Sequence, residues 1–345
     1  MLGVRTRSVL LSAMMLLVGQ MLLIQNYAPQ PSVLDEFVEA RSSGTAFTGN
    51  GTQWQIANAA SFEMTTSPHL YPISNDSFLF THQEDADGNC FKRYSHSNLT
   101  AWNVAVTSGD TGFYCPSSGS PWLQFGPTIE SIVYISTQSN GVGTELFAYN
   151  ITNNTLYLVE DIITGASSST PFYLVAIGSV LFFTLLDQSS STGNELWAYN
   201  TTNSTSWLVA DINPGAGHGY PYYILPIGTS IVFVANDGTN GSTGNKELWT
   251  YETTNDSYWR VSDINPSGNG LNKLDSRYSA VLGTRLMFWA DDDGATGNEL
   301  WAYETTNTTH WQVADINSGP GDSYSGYLIT RDGSRMYFSA EDGIN

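Results

Sequence analysis

The pentapeptide Glu145-Leu-Phe-Ala-Tyr149 returns as Glu195-Leu-Trp-Ala-Tyr199, Glu247-Leu-Trp-Thr-Tyr251 and Glu299-Leu-Trp-Ala-Tyr303, at intervals of about 50 residues. After each copy comes another aromatic, Tyr157, Trp207, Trp259 or Trp311, and then an Asp-Ile pair at Asp161, Asp211, Asp263 or Asp315. The internal spacing never slips, so every copy is the same piece of structure. A degenerate copy precedes them, in which Tyr94 and Trp102 keep the interval and Cys90 stands where the glutamate would be. Earlier still, Trp54-Gln-Ile-Ala57 echoes Trp311-Gln-Val-Ala314.

Within each unit, short apolar and aromatic runs are separated by clusters of Gly, Asn, Asp, Ser and Pro, which is the pattern of strands and turns. The clearest unit predicts four strands, at Tyr220 to Leu225, Ile231 to Ala235, Glu247 to Tyr251 and Trp259 to Ser262. No amphipathic helix pattern follows residue 50. Four strands per repeat point to an all-β chain and to the blade of a β-propeller, whose stacked blades bury both sheet faces. A sandwich needs no exact repeat and solenoid rungs are shorter, so both fit less well.

The pattern F-x-A-x-D-G-x-x-G-x-E-L-W, followed by a polar turn and a D-I-N-P-G loop, resembles the ELWxxDGT repeat family of secreted and surface-attached microbial proteins. The resemblance covers roughly residues 54 to 345 and is closest at Val234 to Trp249 with Asp263 to Pro266, and at Trp289 to Trp301 with Asp315 to Asn317. It departs where the family has D-G-T after the tryptophan, since Asn200-Thr-Thr, Glu252-Thr-Thr and Glu304-Thr-Thr stand there. The family brings no defined activity, so the resemblance implies fold and compartment only.

Ahead of the repeats, residues 1–31 hold Arg5 and Arg7 and then an apolar run from Val9 to Ile24, the layout of an export signal or an uncleaved membrane anchor. Either way the positive-inside rule places everything after Gln25 outside the cytoplasm. Residues 32–52 read as a linker and 53–345 as the repeat domain. Export gives Cys90 and Cys115, the chain's two cysteines, an oxidising compartment in which to pair. Lys plus Arg number 12 against 32 Asp plus Glu, for a net charge of −20. So anionic a surface excludes nucleic acid as a partner.

Sequons stand at Asn50, Asn75, Asn98, Asn150, Asn153, Asn200, Asn203, Asn240, Asn255 and Asn307. Most fall in the polar turn after the Glu-Leu-Trp strand, where an exported chain can accept sugar, although these residue types also simply suit turns. A second turn, before each Glu-Leu-Trp, carries acids. Asp237, Asp291, Asp293 and Asp342 are the candidate ligands there, and calcium is the ion such oxygen-rich turns would take. An Asp-Gly turn has an equally good structural purpose. Glu, Trp and Tyr of the repeated strand alternate onto one face, an aromatic stripe better suited to core than to stacking sugars.

His69, His82, His96, His218 and His310 occupy unrelated repeat positions, and no nucleophile elbow, zinc spacing or phosphate loop is present. The expected function is therefore a non-enzymatic, exported propeller that binds an extracellular glycan or protein, with no cofactor beyond the calcium considered above. The alternatives are a structural envelope or adhesion spacer, and a glycan-active hydrolase. The loop Asp263 to Asp275, which carries Lys273, is the candidate binding rim. Five full blades are expected from about Leu70 to about Asn317. A sixth begins at Tyr327 with two strands only, and Trp54 to Ala57 would help to close it; the chain is then truncated or pairs with another molecule there.

Overall fold

A computed structural model describes residues 70–81, 91–107, 123–139, 141–186, 192–239, 244–271, 274, 278–292, 294–331 and 335–344. Among them there is no helix. The signal or anchor, the linker, Trp54 to Ala57, Cys90, Cys115, Asn50, Asn240, Asp293 and Lys273 lie outside the described residues.

The chain is a series of antiparallel meanders. The first sheet is formed by β1 (Leu70–Pro72), β2 (Ser77–Thr81), β3 (Phe91–Ser95) and β4 (Thr100–Asn103), in that order. A two-residue strand, β5 (Ala105–Val106), follows. The second sheet holds β6 (Gln124–Ile129), β7 (Ile132–Ser139), β8 (Gly143–Asn150) and β9 (Thr155–Glu160). The third holds β10 (Pro171–Ile177), β11 (Val180–Leu185), β12 (Leu196–Asn200) and β13 (Thr205–Ala210). The fourth holds β14 (Tyr222–Ile227), β15 (Ser230–Asn236), β16 (Lys246–Glu252) and β17 (Ser257–Arg260), and the fifth β18 (Ser279–Leu282), β19 (Arg285–Asp291), β20 (Asn298–Glu304) and β21 (Thr309–Ala314). A hairpin of β22 (Tyr324–Arg331) and β23 (Arg335–Ala340) completes the described chain.

The strands expected in the clearest unit are all present, displaced by a few residues at their ends. The second sheet departs from four strands per repeat: β5 joins it as a fifth strand, parallel to β9, with Ala105 opposite Thr155 and Val106 opposite Leu156. Its backbone bonds cover an outer edge that would otherwise leave N–H and C=O groups unpaired. Ala105 N–H donates to the Asn154 carbonyl at 3.0 Å and Thr107 N–H to that of Leu156 at 3.1 Å.

Among the described residues two compact units divide the chain, one of residues 70–186 with Tyr199–Ser206, the other of residues 192–198 and 207–344. In the first, Leu79 and Phe91 of one sheet meet Val133, Ile135 and Phe147 of the next in one core. In the second, Val232, Val234 and Leu248 of the fourth sheet pack on Leu286, Phe288 and Tyr303 of the fifth. The third strand of the second sheet is buried on both faces: in β8, Glu145, Leu146, Phe147, Ala148 and Tyr149 are all fully inaccessible. Stacking sheet on sheet is what makes the strand alternation imperfect.

Candidate functional site

The repeated glutamate is the most elaborately built group in each unit. Glu145, Glu195, Glu247 and Glu299 are completely buried. Each carboxylate lies where the third strand starts and faces two stretches further along the chain. One is the loop after the fourth strand, where the isoleucine of every Asp-Ile pair donates its N–H to Oε2: Ile162 at 3.0 Å, Ile212 at 2.8 Å, Ile264 at 3.1 Å and Ile316 at 2.9 Å. The other is the residue that leads into the next sheet. Ser169 N–H, Gly219 N–H and Gly270 N–H donate to Oε1 at 2.8, 2.6 and 3.0 Å. Ser323 instead uses its hydroxyl, at 2.6 Å from Glu299 Oε2.

An ion taken out of water is tolerable only when its lone pairs are satisfied, and these are satisfied by backbone N–H groups, joined by the Ser169 hydroxyl at Glu145 and the Ser323 hydroxyl at Glu299. The glutamate therefore staples one sheet to the entry of the next. Burial pushes Glu145, Glu195 and Glu247 up to about 7, against the N–H donors that pull them down. A carboxylate with no accessible surface and its oxygens on backbone N–H groups is a structural group rather than a catalytic one.

A second bond repeats beside it. The residue before the glutamate donates its N–H to a side chain of the same loop: Thr144 to Ser168 Oγ at 2.9 Å, Asn194 to His218 Nδ1 at 3.1 Å, Lys246 to Asn269 Oδ1 at 2.9 Å and Asn298 to Asp322 Oδ1 at 2.8 Å. His218 thus occupies a repeat position after all. It serves as an acceptor, so its proton sits on Nε2. His96 and His310 are exposed, and His69 and His82 lie outside the described residues.

The hairpin between third and fourth strands is the site of most sequons, and the structure divides them. Asn98, Asn153, Asn203, Asn255 and Asn307 are exposed. The residue after each has a left-handed backbone, with φ of 51° at Leu99, 57° at Asn154, 54° at Ser204, 53° at Asp256 and 57° at Thr308. In four of these turns the hydroxyl of the sequon donates to the asparagine Oδ1, from Thr155, Thr205, Ser257 or Thr309 at 2.6 to 2.7 Å. That bond uses the oxygen and not the nitrogen that a sugar would modify.

Asn150 and Asn200 are different. They are half-buried and open the turn, accepting Thr152 N–H and Thr202 N–H, each at 2.9 Å. Glu252 and Glu304 perform that same service in the next repeats, through Thr254 and Thr306. Asn75 is exposed in the turn before β2.

The acids proposed for calcium are dispersed into turns. Asp237 accepts Thr239 N–H and Oγ–H at 3.0 and 2.6 Å and the Asn245 amide at 3.1 Å, and Arg260 lies 3.3 Å from its other oxygen. Asp291 accepts Gly294 N–H at 3.2 Å and Asp342 accepts Ile344 N–H at 3.0 Å. Among the described residues no three His, Cys, Asp or Glu side chains come together as a metal site. The glycine beside Asp237 has its own reason: Gly238 has a φ of 75°, and a Cβ there would lie 2.6 Å from Asn213 Oδ1 of the preceding D-I-N-P-G loop. The candidate rim loop from Asp263 is anchored, because Leu271 and Leu274 are fully buried in the core between sheets four and five.

One repeat departs from the others in a way the residue patterns did not flag. Where the third sheet is entered through Ser168, Thr170 and Phe172, the fourth is entered through His218, Tyr220 and Tyr222. The His218 and Tyr220 rings are 5.1 Å apart, and Tyr220 and Tyr222 stack at 6.1 Å with 17° between their planes. Lys246, at the start of β16, sets its ammonium 5.5 Å from the Tyr222 ring centre.

No protein-family model and no curated protein matches the chain. Among solved structures it is similar to a TolB-type protein of Agrobacterium tumefaciens, at 11% identity, 75% of this chain and 82% of that one, with a TM-score of 0.39. It is likewise similar to an oligogalacturonate lyase of Vibrio parahaemolyticus, at 11% identity over 80% and 69% of the two chains, TM-score 0.43. A GH74 enzyme of Niastella koreensis matches at 13% identity over 74% of this chain and 38% of that one, TM-score 0.43. Likeness of this degree transfers no activity.

Proposed function

We propose that this chain is an exported surface or secreted β-propeller, similar to ELWxxDGT-repeat proteins, that binds an extracellular glycan or protein and is not an enzyme. The observation that carries this reading is the exposed sequon asparagine at one hairpin position in successive sheets, Asn98, Asn153, Asn203, Asn255 and Asn307. A turn kept polar, projecting and modifiable in repeat after repeat suits a chain that passes through a glycosylating compartment. Further support comes from the serial four-stranded meanders joined by buried glutamates, which in a ring would cover each other's faces. The most perturbed carboxylates are spent on that joining. A signal or anchor at residues 1–31 and a Cys90–Cys115 disulfide belong to the same proposal, and calcium on the Asp turns would be an accessory to it.

The test is to display the purified full chain on glycan and envelope-protein arrays. Saturable binding to one ligand class is the expected result. Uniformly blank arrays would overturn the binding role and leave the rigid spacer in its place.

A further inference from the structure

A repeat protein advertises a ligand site where one unit breaks the pattern that the others share, since packing alone asks the same of every unit. The entry to the fourth sheet is such a break. His218, Tyr220 and Tyr222 are alternate residues of the segment that leads into β14, and the left-handed turn at Tyr220 brings their rings together. Their rings follow one another at 5.1 and 6.1 Å, a spacing comparable with the length of one sugar ring. Tyr220 is 37% exposed although it is aromatic. Its left-handed φ of 45° is shared by Thr170, φ 43°, at the matching position before the third sheet, so the backbone belongs to the repeat and the aromatic side chain is what differs. The backbone bond from Tyr220 N–H to the Asn194 carbonyl, at 2.9 Å, keeps that geometry, as Thr170 N–H to Thr144 and Leu271 N–H to Lys246 do at 2.9 and 3.0 Å.

The polar tips along this face are donors. His218 accepts Asn194 N–H on Nδ1 and so presents Nε2–H. Tyr220 and Tyr222 offer phenol hydroxyls. A phenol is a donor at physiological pH in any case, and burial, with Tyr220 and Tyr223 nearby, raises the Tyr222 pKa further above its usual value. Lys246 closes the row with an ammonium over the Tyr222 ring. Between Arg93 and Lys246 the chain has no other Lys or Arg, so in a strongly acidic molecule this cation stands beside an aromatic row.

We propose that this row is a binding site for an acidic glycan, an oligosaccharide carrying carboxylate or sulfate groups; the proposal rests on the glycan-binding reading above. The exposed ring of Tyr220 meets a sugar unit, the hydroxyls and Nε2–H donate to neighbouring sugar oxygens, and Lys246 pairs with the acid group. The net charge of −20 repels such a ligand at long range. At physiological salt the Debye length is about 8 Å, so the local ammonium governs the contact once the ligand is close.

The experiment is calorimetric titration of the full chain with an oligouronate, a sulfated oligogalactan, a neutral oligoglucan of matched length and an oligoglutamate peptide. Lys246→Gln, Tyr220→Ala and Tyr222→Phe variants are titrated alongside, each first checked for an unchanged melt. The expected result is saturable binding of an acidic glycan. Lys246→Gln weakens it about tenfold, the magnitude of one charge-assisted contact, and Tyr220→Ala weakens it at least as much, while the neutral glycan binds weakly and indifferently to Lys246. Acidic-glycan binding that survives all three variants would overturn this site while sparing the glycan-binding function. A preference for the peptide would overturn the ligand class. Silence from every probe here, with saturable binding of a protein on the arrays, would remove the site and keep the broader function.

Discussion

Gly219 donates its N–H to Oε1 of Glu195 at 2.6 Å, and a Cβ built on Gly219 would lie 2.4 Å from Oε2 of the same carboxylate. There is no room for a methyl group against a buried ion that is held in place by two further N–H bonds. Gly219→Ala should therefore destabilise the protein by about 2–4 kcal/mol, through overpacking and a damaged charge-assisted bond. Gly228, with a φ of 62° and nothing within 4 Å of an added methyl, provides the comparison. Gly228→Ala should cost only about 1 kcal/mol, the penalty of a left-handed alanine. Urea midpoints of the two variants decide the matter, and equal losses would show that the carboxylate does not crowd Gly219.

Stability should also depend on pH in a particular direction. Burial raises Glu145, Glu195 and Glu247 from 4.5 to about 7, so between those values the folded chain holds protons that the unfolded chain has lost. Their contribution is fully present below about pH 4.5 and is lost as pH rises through about 7. Asp237 and Glu252 have lowered values and work the other way: their contribution is present above the ordinary carboxylate range and is lost on further acidification. Thermal melts should accordingly be highest on the acid side, near the unfolded carboxylate range, and decline towards neutrality. A melt that rises steadily from pH 5 to pH 8 would contradict this.

Repeat boundaries and strand order were legible because aromatic and turn residues recur in a fixed register, and the strands from β14 to β17 lie within a few residues of those expected. The work of Glu195 was not legible. Its partners are backbone N–H groups of Ile212, Asn213 and Gly219, and backbone donors leave no side-chain signature. The one available signal was the small residue at Ser169, Gly219, Gly270 and Ser323. Asn150 and Asn200 looked like the other sequons, and only the replacement by Glu252 and Glu304 at the same turn position marked them as caps. Nor could two residues, Ala105 and Val106, announce a parallel strand, because so short a run has no period.

Trp249 is 8% exposed and its indole N–H has no acceptor among the described residues. Phe147 fills the same position in the second sheet. Trp249→Phe should therefore stay within about 1 kcal/mol of the native chain, since it removes an unsatisfied donor together with some apolar area, whereas Trp249→Ala should lose about 3–5 kcal/mol. Chemical denaturation of both variants is the check.

Sugar, where the native host adds it, should be found on the exposed Asn98, Asn153, Asn203, Asn255 and Asn307 and be scarce on the half-buried Asn150 and Asn200. Glycopeptide mapping of host-derived protein reads this directly. Full occupancy at Asn150 and Asn200 would mean that the turn caps are not in place when the sugar is added.

The central claim is that buried glutamates staple each sheet to the next, and amide hydrogen exchange tests it most directly. Ile212 and Asn213 lie in a loop outside any strand, yet both donate to Glu195. Their amides should exchange as slowly as that of Phe233 in the middle of β15, and Glu195→Ala should release them, with Gly219, while Ile162 bound to Glu145 keeps its protection. Rapid exchange at Ile212 and Asn213 in the native chain, at the rate of an open turn, would contradict the account.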